Sequence, residues 1–350
     1  MSTGNHNPDL NAIELAIKRG VDFLAERQLP SGEFPVLMST DHTLETESVV
    51  DSSPFPTALI AYSIGFIDSP AIQKMIRRAT EFFLREMEGP GLWRYWTRGH
   101  KYHSAIPPDL DDIACVSIVL KRHGIDFPDN MKILMQSRDR QGLFYTWICP
   151  RLPMPFNFAY CAVVVPQLFH PARFYYFWKL NESARFDVDC VVNANVLAYT
   201  QDRREIAPVV EFLSEIVRNE KESCCDKWHL NPFTFYYAVS RAFHSGVRAL
   251  ESVRDIIVER IERAAGAEGL IGENSLDTAM AICALLNWGS NSPLVPGGVR
   301  HLLSSQNQDG SWPKLVLYYG GPKKYYGWGS EELTTGFCLE ALSRFRETYK

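Results

Sequence analysis

The fold is decided by the stretch Gln306-Asn-Gln-Asp-Gly310-Ser-Trp312, which connects two segments of different character. The segment before it, Gly298–Gln306, has its apolar residues on one helical face, which is typical of a helix with one side in water. The segment after it, Glu331–Leu342, is apolar nearly all round, which is typical of a helix buried on both sides. The sequence therefore predicts a pair made of an outer and an inner helix.

The same order of parts occurs along the whole chain, which indicates an internal repeat. Near the start of the chain, a turn at Gly32 again separates an amphipathic from an apolar segment, and similar turns occur at Gly91, Gly142 and Gly269. The predicted outer segments are 16–28, 77–88, 130–138, 209–219, 253–264 and 298–306. The predicted inner segments are 51–62, 109–120, 187–197, 231–242, 276–286 and 331–342.

Six alternating pairs predict an all-α fold, an (α/α)6 toroid in which the buried helices form an inner ring and the amphipathic helices an outer ring. The pairs occupy nearly the whole chain, so we expect a single domain over residues 1–350 with one insertion at about 143–178. An open helical solenoid is the alternative, but it needs exposed capping repeats and fits this copy number less well.

Composition argues against several classes of protein. The net charge of −5 and the 46% share of hydrophobic residues are those of an ordinary globular protein and argue against a nucleic-acid partner held by a basic face. The sequence contains no run of 18 apolar residues, so it predicts no membrane-spanning helix. Residues 1–11 lack the apolar core of a signal peptide, so we expect a cytoplasmic location and free, mostly buried thiols for the eight cysteines.

Three carboxylates lie within four residues at the predicted start of an inner helix, in Asp109-Leu-Asp111-Asp112. Helix capping accounts for two of them, with Asp109 as the N-cap and Asp112 completing a capping box. Asp111 has no such role and is expected at the edge of an apolar cavity, because the inner helices of a toroid begin at the same end. Like charges and burial favour the protonated form there, although the helix N-terminus opposes them. The cluster is therefore a candidate Brønsted acid that titrates as a group.

Asp109-Leu-Asp111-Asp112-Ile-Ala resembles the Asp-x-Asp-Asp signature of class II terpene cyclases, which include squalene–hopene cyclase and the copalyl-diphosphate-type cyclases. The stretch Gln306–Trp312 is similar to the QW repeats of that superfamily, which protein prenyltransferase β subunits share. The resemblance implies protonation-initiated cyclisation of a linear isoprenoid, with or without a diphosphate. It makes Asp111 the general acid, assisted by Asp109 and Asp112.

The resemblance also implies a cavity lined by aromatic faces that stabilise carbocations through cation–π attraction. The aromatic candidates near the predicted cavity mouth are Trp93, Tyr95, Trp96, Tyr102, Tyr318, Tyr319, Tyr325, Tyr326 and Trp328. The polar candidates for binding substrate are Asn193, Asn195, Lys323 and Lys324. The two lysines, in a glycine-containing loop, are the candidates for receiving a diphosphate.

The sequence departs from the resemblance in having no room for a second helical domain, which cyclases of this class usually carry between their first two helices. The segment 33–52 is too short for one, so the cavity needs another cover. The insertion at 143–178 contains 12 aromatic residues and five prolines, a content typical of lids and binding loops. We expect it to cover the cavity, or to contact a membrane or a second copy of the chain.

Two other functions remain open at this point. Toroids of this kind also serve glycoside hydrolases, for which Asp112 and either Glu331 or Glu332 would supply the two carboxylates. A non-catalytic isoprenoid- or lipid-binding protein would keep the apolar cavity but would not depend on Asp111.

Metal sites have weak support in the sequence. The spacing of Cys224, Cys225, Asp226 and His229 allows zinc binding, but a distant fourth ligand is missing, and we expect no resident metal. Mg²⁺ is expected only together with a diphosphate-bearing substrate.

Overall fold

The computed structural model describes residues 8–152, 156–201 and 203–349. Two prolines of the predicted insertion, Pro153 and Pro155, lie outside these residues. The α-helices in the described part are α1 (Leu10–Arg27), α2 (Pro54–Ile64), α3 (Pro70–Glu86), α4 (Leu110–Arg122), α5 (Met131–Gln136), α6 (Phe158–Val164), α7 (Pro166–Phe169), α8 (Pro171–Asn181), α9 (Cys190–Thr200), α10 (Ala207–Arg218), α11 (Pro232–His244), α12 (Arg254–Arg263), α13 (Ser275–Asn287), α14 (Leu294–Ser304) and α15 (Glu331–Thr348).

Six of these helices form a closed inner ring. Helices α2, α4, α9, α11, α13 and α15 pack side by side in this order, and α15 packs against α2 again. Every residue of α2 is buried, whereas α3 in the outer ring has one exposed face. The outer helices are α1, α3, α5, α10, α12 and α14. The predicted (α/α)6 toroid is therefore confirmed.

The glycine turns of the repeats that have one contact the next unit of the outer ring. Gly310 has φ +94°, and a Cβ there would lie 2.4 Å from the carbonyl oxygen of Arg19 in α1. The side chain of Gln306 donates to the carbonyl oxygens of Ala16 and Gly310 at 2.9 Å. The last repeat is thereby joined to the first, which closes the ring.

The N-terminal copy of the turn shows the same contacts. Gly32 has φ +91°, and a Cβ there would lie 2.1 Å from the carbonyl oxygen of Arg78 in α3. Gln28 donates to the carbonyl oxygens of Gly32 and Met75 at 2.9 Å. The fourth repeat has no such glycine, and its connection, residues 219–231, is the loop that supplies side chains to the candidate site.

A four-stranded antiparallel sheet, which the sequence did not predict, adds to the helical toroid. Its strands are β1 (Val36–Ser39), β2 (Val49–Asp51), β3 (Leu315–Gly320) and β4 (Tyr326–Ser330), in the order β2-β1-β4-β3. β1 of the first repeat pairs with β4 of the last, with Met38 opposite Trp328. Because α2 follows β2 and α15 follows β4, the sheet lies where inner helices begin.

The insertion forms α6, α7 and α8 in its described part. Helix α8 packs against two short turns, residues 103–105 and 322–324. No helix in the described part of the chain is long and apolar enough to cross a membrane.

The prediction of free thiols is wrong for one pair of cysteines. Cys190, at the start of α9, forms a disulfide with Cys225 in the loop before α11. The sequence distance of 35 residues gave no indication of this pairing, because the two residues meet only through the packing of adjacent repeats. Among the described residues, Cys115, Cys149, Cys224, Cys283 and Cys338 are free thiols, as predicted.

The contact between the last and the first repeat can be tested with Gly310→Ala. The added methyl group meets the backbone of α1, so we expect the free energy of unfolding to fall by about 3 kcal/mol or more in urea denaturation followed by circular dichroism. Gly124→Ala is the matched control, because Gly124 has φ +66° but no atom within 4 Å of its added Cβ. It should lose only about 1–2 kcal/mol. Equal losses would contradict a steric role for Gly310.

Candidate active site

Asp109 positions the acidic cluster at the start of α4. Its Oδ1 accepts a hydrogen bond from the backbone N–H of Asp111 at 2.7 Å, which makes it the N-cap. The backbone N–H of Asp109 donates to the carbonyl oxygen of Trp93 at 3.1 Å. Asp112 therefore has no capping bond to make, and the predicted capping box is wrong.

Asp111 contacts two neighbouring inner-ring elements. Its Oδ1 accepts a hydrogen bond from Nδ2 of Asn195 in α9 at 2.5 Å. Its Oδ2 lies 3.6 Å from Nε2 of His229, which comes from the loop before α11. Burial lowers the pKa of His229, but the interaction with Asp111 and the charge of Asp226 outweigh burial and raise it. The imidazole is therefore biased towards its charged form while the Asp111 carboxyl is ionised, and less so when that carboxyl carries a proton.

The other two carboxyls of the cluster favour the protonated state. Burial, and then the charge of Asp111, raises the pKa of Asp112 well above its usual range. Burial, and then the charges of Asp112 and Asp111, does the same for the pKa of Asp109. Asp112 is 1% exposed, and its Oδ1 has no hydrogen-bond partner among the described residues. This arrangement favours a cluster that holds a proton.

A cavity with a largely aromatic lining opens beside the three carboxyls, all of which contribute to its wall. It contains about 70 Å³ of space that water can enter. This is much less than the roughly 300–1,000 Å³ of sites that hold drug-sized ligands. The aromatic residues that line it are Phe55, Tyr95, Trp96, Trp147, Phe177, Trp228, Tyr318 and Trp328.

Asp51 holds two of the cavity's indoles in place. Its Oδ2 accepts hydrogen bonds from Nε1 of Trp96 at 3.1 Å and Nε1 of Trp328 at 2.8 Å. His100 lies 3.3 Å from the other oxygen. Asp51 ends β2 and is buried, so the sheet carries the carboxyl group that orients these rings. Asp51 does not cap α2, because that role belongs to Ser53.

The sheet adds a tyrosine to the same wall. The hydroxyl groups of Tyr95 and Tyr318 lie 2.9 Å apart and form a hydrogen bond. The ring of Tyr318 stacks on Trp328, with 5.8 Å between their centroids. These contacts fix the faces of three electron-rich rings that border the cavity.

The insertion supplies the opposite wall. Trp147 and Phe177 line the cavity, and their rings meet edge to face with centroids 5.2 Å apart. Asn181, the last residue of α8, also lines it and accepts a hydrogen bond from the backbone N–H of Gly321 at 3.1 Å. The insertion thus covers one side of the cavity, next to the loop between β3 and β4.

Several predicted aromatic residues lie outside the cavity lining. Trp93 is fully buried in the core, where Nε1 donates to the carbonyl oxygen of Phe83 at 2.8 Å. Tyr102 is 49% exposed. Tyr319 and Tyr326 are partly buried on β3 and β4 but do not line the cavity, and Tyr325 is exposed.

The predicted polar residues also divide between the site and the scaffold. Asn195 reaches Asp111, whereas Asn193 bonds to the backbone N–H and carbonyl of Phe144 and so holds a glycine turn. Lys323 is exposed. Lys324 places Nζ 4.8 Å from the centroid of the Trp228 ring, and burial lowers its pKa.

The residues of the alternative sites do not assemble around the cavity. Glu331 is not part of the cavity lining, and Glu332 forms an ion pair with Arg27 of α1 at 2.8 Å. Cys225 is in the disulfide with Cys190, so it is not free to bind zinc. The described residues contain no group of three or more His, Cys, Asp or Glu arranged to hold a metal ion.

Sequence reasoning missed several residues of the cavity. Trp228 and His229 lie just before Asn231, the N-cap of α11. Because inner helices begin at the cavity, the residues preceding each N-cap were the signal that could have found them. Trp147 and Phe177 were predicted only as part of a covering segment, and no local pattern singles them out.

The role of Asp51 can be tested by comparing Asp51→Ala with Asp51→Asn. Alanine leaves the indole N–H groups of the buried Trp328 and the half-buried Trp96 without an acceptor, which costs about 1–3 kcal/mol for a buried group. We expect a loss of about 3 kcal/mol in the free energy of unfolding, measured by urea denaturation. Asparagine keeps an oxygen at this position and should retain most of the stability. If both variants lose the same amount, hydrogen-bond acceptance is not the role of Asp51.

Comparisons with known proteins bear on the fold. No family model and no curated protein sequence matches this chain. A protein from Actinoplanes has a similar structure, with a TM-score of 0.70 and 18% identity over 95% of this chain and 99% of that one.

Type II terpene cyclase MstE from Scytonema, in complex with geranylgeranyl dihydroxybenzoate, superposes with a TM-score of 0.68 and 14% identity. The match covers 97% of this chain and 98% of the cyclase, so a toroid of this extent corresponds to nearly all of that cyclase chain. An unsaturated glucuronyl hydrolase specific for heparin gives a TM-score of 0.55 at 10% identity, over 97% of this chain and 98% of that one. This chain therefore has the helical toroid fold found in type II terpene cyclases.

Proposed function

We propose that this chain is an enzyme of the type II terpene cyclase kind, which cyclises a linear isoprenoid after protonating it. The observation that carries the proposal is the state of the acidic cluster. Asp111 is held by Asn195 and faces His229, while Asp109 and Asp112 are buried beside it in the wall of an aromatic cavity. A proton-holding carboxyl cluster next to electron-rich rings is what alkene protonation requires.

In the proposed reaction, the carboxyl O–H of Asp111 breaks and its proton forms a C–H bond with the terminal alkene of the substrate. The alkene's electron pair makes that bond and leaves a tertiary carbocation. The electron pair of the next alkene then forms the ring C–C bond. In the last step a C–H bond breaks, its pair forms a new alkene, and the proton leaves to water. The cluster regains a proton from solvent, so the product is an isomer of the substrate.

The surrounding residues have separate parts in this proposal. Asp109 and Asp112 keep a proton available on the cluster at neutral pH. The faces of Trp96, Trp328 and Tyr318 stabilise the migrating positive charge, because their quadrupoles attract cations in a dry site. The insertion excludes water that would otherwise trap the carbocation.

The proposed substrate is a linear isoprenoid whose polar end lies towards Lys324. The fold similarity to a cyclase in complex with geranylgeranyl dihydroxybenzoate supports an isoprenoid chain attached to a larger polar group. A diphosphate is a second option for that end, and Mg²⁺ would then arrive with the substrate. No step of the proposed reaction uses a metal.

Neither alternative function gains support from the site. A glycosidase would need Glu331 or Glu332 opposite Asp112, and neither residue lines the cavity. A non-catalytic isoprenoid carrier would not require carboxyls that hold a proton.

Product analysis with two asparagine variants tests the proposal. Purified protein is incubated with farnesyl and geranylgeranyl diphosphates, with geranylgeranyl dihydroxybenzoate and with squalene, each with and without Mg²⁺, and products are identified by mass spectrometry. We expect a cyclic isomer from the wild type and a loss of about 100-fold or more with Asp111→Asn, since general acid catalysis contributes about 10²–10⁴-fold. Asp277→Asn, in the first turn of α13 and outside the cavity lining, should retain activity.

The variant Asp112→Asn decides which carboxyl donates the proton. Reduced but measurable activity in Asp112→Asn, with none in Asp111→Asn, supports Asp111 as the donor. The reverse result would move that role to Asp112, whose carboxyl Oδ1 has no partner in the described residues. No product from any substrate, with isoprenoid lipid retained by the purified protein, would replace the enzyme with a carrier.

We also propose that the protein, in the cytoplasm, contacts an anionic membrane through the outer face of the insertion. Phe169, Tyr176 and Leu180 are 75%, 62% and 55% exposed there, on and beside α8. The other face of α8 lines the cavity, so the apolar surface lies at the site's cover. Residues 166–186 carry the cations Arg173, Lys179 and Arg185 against one acid, Glu182, although the whole chain has a net charge of −5. Apolar side chains flanked by cations are typical of interfacial helices.

Vesicle co-sedimentation tests this contact. The wild type should bind phosphatidylcholine vesicles that contain phosphatidylserine, and the double variant Tyr176→Ser/Leu180→Ser should bind about tenfold less, or weaker still. Leu15→Ser on α1 is the matched control, because Leu15 is 58% exposed on the outer ring. If the wild type is instead a dimer in size-exclusion chromatography and ignores vesicles, a second copy covers this face and the membrane proposal is wrong.

A further inference from the structure

Arg241 is a buried arginine whose hydrogen bonds lead to the acid. It lies on α11 and is 1% exposed. Its Nη2 donates to Oδ1 of Asn195 at 2.5 Å and contacts Sγ of Cys115 at 3.5 Å. Its Nε and Nη1 have no hydrogen-bond partner in the described part of the chain.

The stability of the fold does not explain this residue. No carboxylate of the described residues forms an ion pair with Arg241. Its guanidinium lies between the rings of Tyr62 and Tyr237, at 4.9 and 5.5 Å from their centroids. Burial of a charge without an ionic partner is costly, and an apolar side chain of similar volume is often no less stable.

The donor and acceptor inventory fixes the orientation of the Asn195 amide. A guanidinium has only donors, so the oxygen of Asn195 must face Arg241 and its NH₂ group must face Asp111. Oδ1 of Asp111 is then occupied as an acceptor at 2.5 Å. His229 is 3.6 Å from Oδ2, longer than a normal hydrogen bond, so Oδ2 is the oxygen that Asn195 leaves open for the transferable proton of the proposed reaction.

We propose that Arg241 is a positioning residue for the acid: through Asn195 it selects the oxygen of Asp111 that carries the transferable proton, and its charge makes that proton easier to donate. The inference rests on the proposed function, because it assigns a role within the same site. Arg241 lies on an inner-ring helix and does not line the cavity, so the proposal extends control of the chemistry beyond the residues in the cavity wall.

The effect of Arg241 depends on the other charged and titratable groups nearby. Around the acid these are Asp109 and Asp112 on α4, Asp189 before α9, and Asp226 and His229 in the loop before α11. Around Arg241 they are Tyr62, Cys115, Tyr237, Cys283, Glu340 and Arg344. Glu340 accepts hydrogen bonds from Tyr237 at 2.9 Å and from Arg344 at 3.1 Å, so its charge is balanced by Arg344.

The sign of the expected change follows from electrostatics. A positive charge favours the ionised form of a nearby carboxyl, and its removal favours the protonated form. Without Arg241, the cluster should keep its proton to higher pH and donate it less readily. The activity at neutral pH should therefore fall. The pH above which activity is lost should rise.

Two variants separate the orientation of Asn195 from the charge. Arg241→Met removes both, and we expect kcat to fall about 10- to 100-fold with KM nearly unchanged. The high-pH loss of activity should move up by about one pH unit, and the melting temperature should stay the same or rise. Arg241→Gln keeps a donor for Asn195, so kcat should recover in part while the pH profile stays shifted. Unchanged kcat and pH profile in Arg241→Met would overturn the proposal.

The control and a substrate-free readout complete the test. Arg344→Met removes the other buried inner-ring arginine and leaves Glu340 without its ionic partner, so it should lower the melting temperature without moving the pH profile. A second readout needs no substrate. The infrared band of protonated carboxyls is followed against pH, which gives a titration midpoint, and the part of the band that is lost in Asp111→Asn is assigned to Asp111. A higher midpoint in Arg241→Met supports the inference even if the wild type forms no product, and an unchanged midpoint contradicts it.

Discussion

Ring closure is the constraint on which the remaining structure depends. The backbone of the last glycine turn touches α1. Only glycine fits at position 310, because a Cβ there would lie 2.4 Å from the carbonyl oxygen of Arg19. The same closure brings β4 of the last repeat beside β1 of the first. Trp328 and Asp51 thereby meet across 277 residues of sequence, and the aromatic wall of the cavity is complete.

The candidate site sets two electrostatic effects against each other. The start of α4 favours ionised carboxyls, whereas burial between inner helices favours protonated ones. Burial dominates for Asp109 and Asp112, because both lie in a wall of largely apolar side chains. Asp111 differs in having a donor from α9 and an imidazole from the loop before α11. Three aspartates within four residues thus have different surroundings.

The helices and the acidic cluster could be predicted because their signals are local. Apolar periodicity gave both rings, and Asp111 exceeded the needs of a helix cap. The sheet could not be predicted, since its central pair joins strands from opposite ends of the chain. Asn193 and Asn195 show a second limit: they are two residues apart on one buried helix, yet one holds a turn and the other the acid. Periodicity gives burial, but not which buried partner a polar group meets.

The small volume of the cavity has a kinetic consequence. With about 70 Å³ available, a long hydrocarbon cannot enter without displacing side chains. Phe177 and Asn181, which line the cavity, belong to α8 of the insertion and not to the inner ring, so we expect the rearrangement there. For a substrate of the proposed kind, part of the binding energy would be spent on this opening, and association would be slower than diffusional encounter. Under the proposed function, a cavity this small would also leave few water molecules beside the acidic cluster between turnovers.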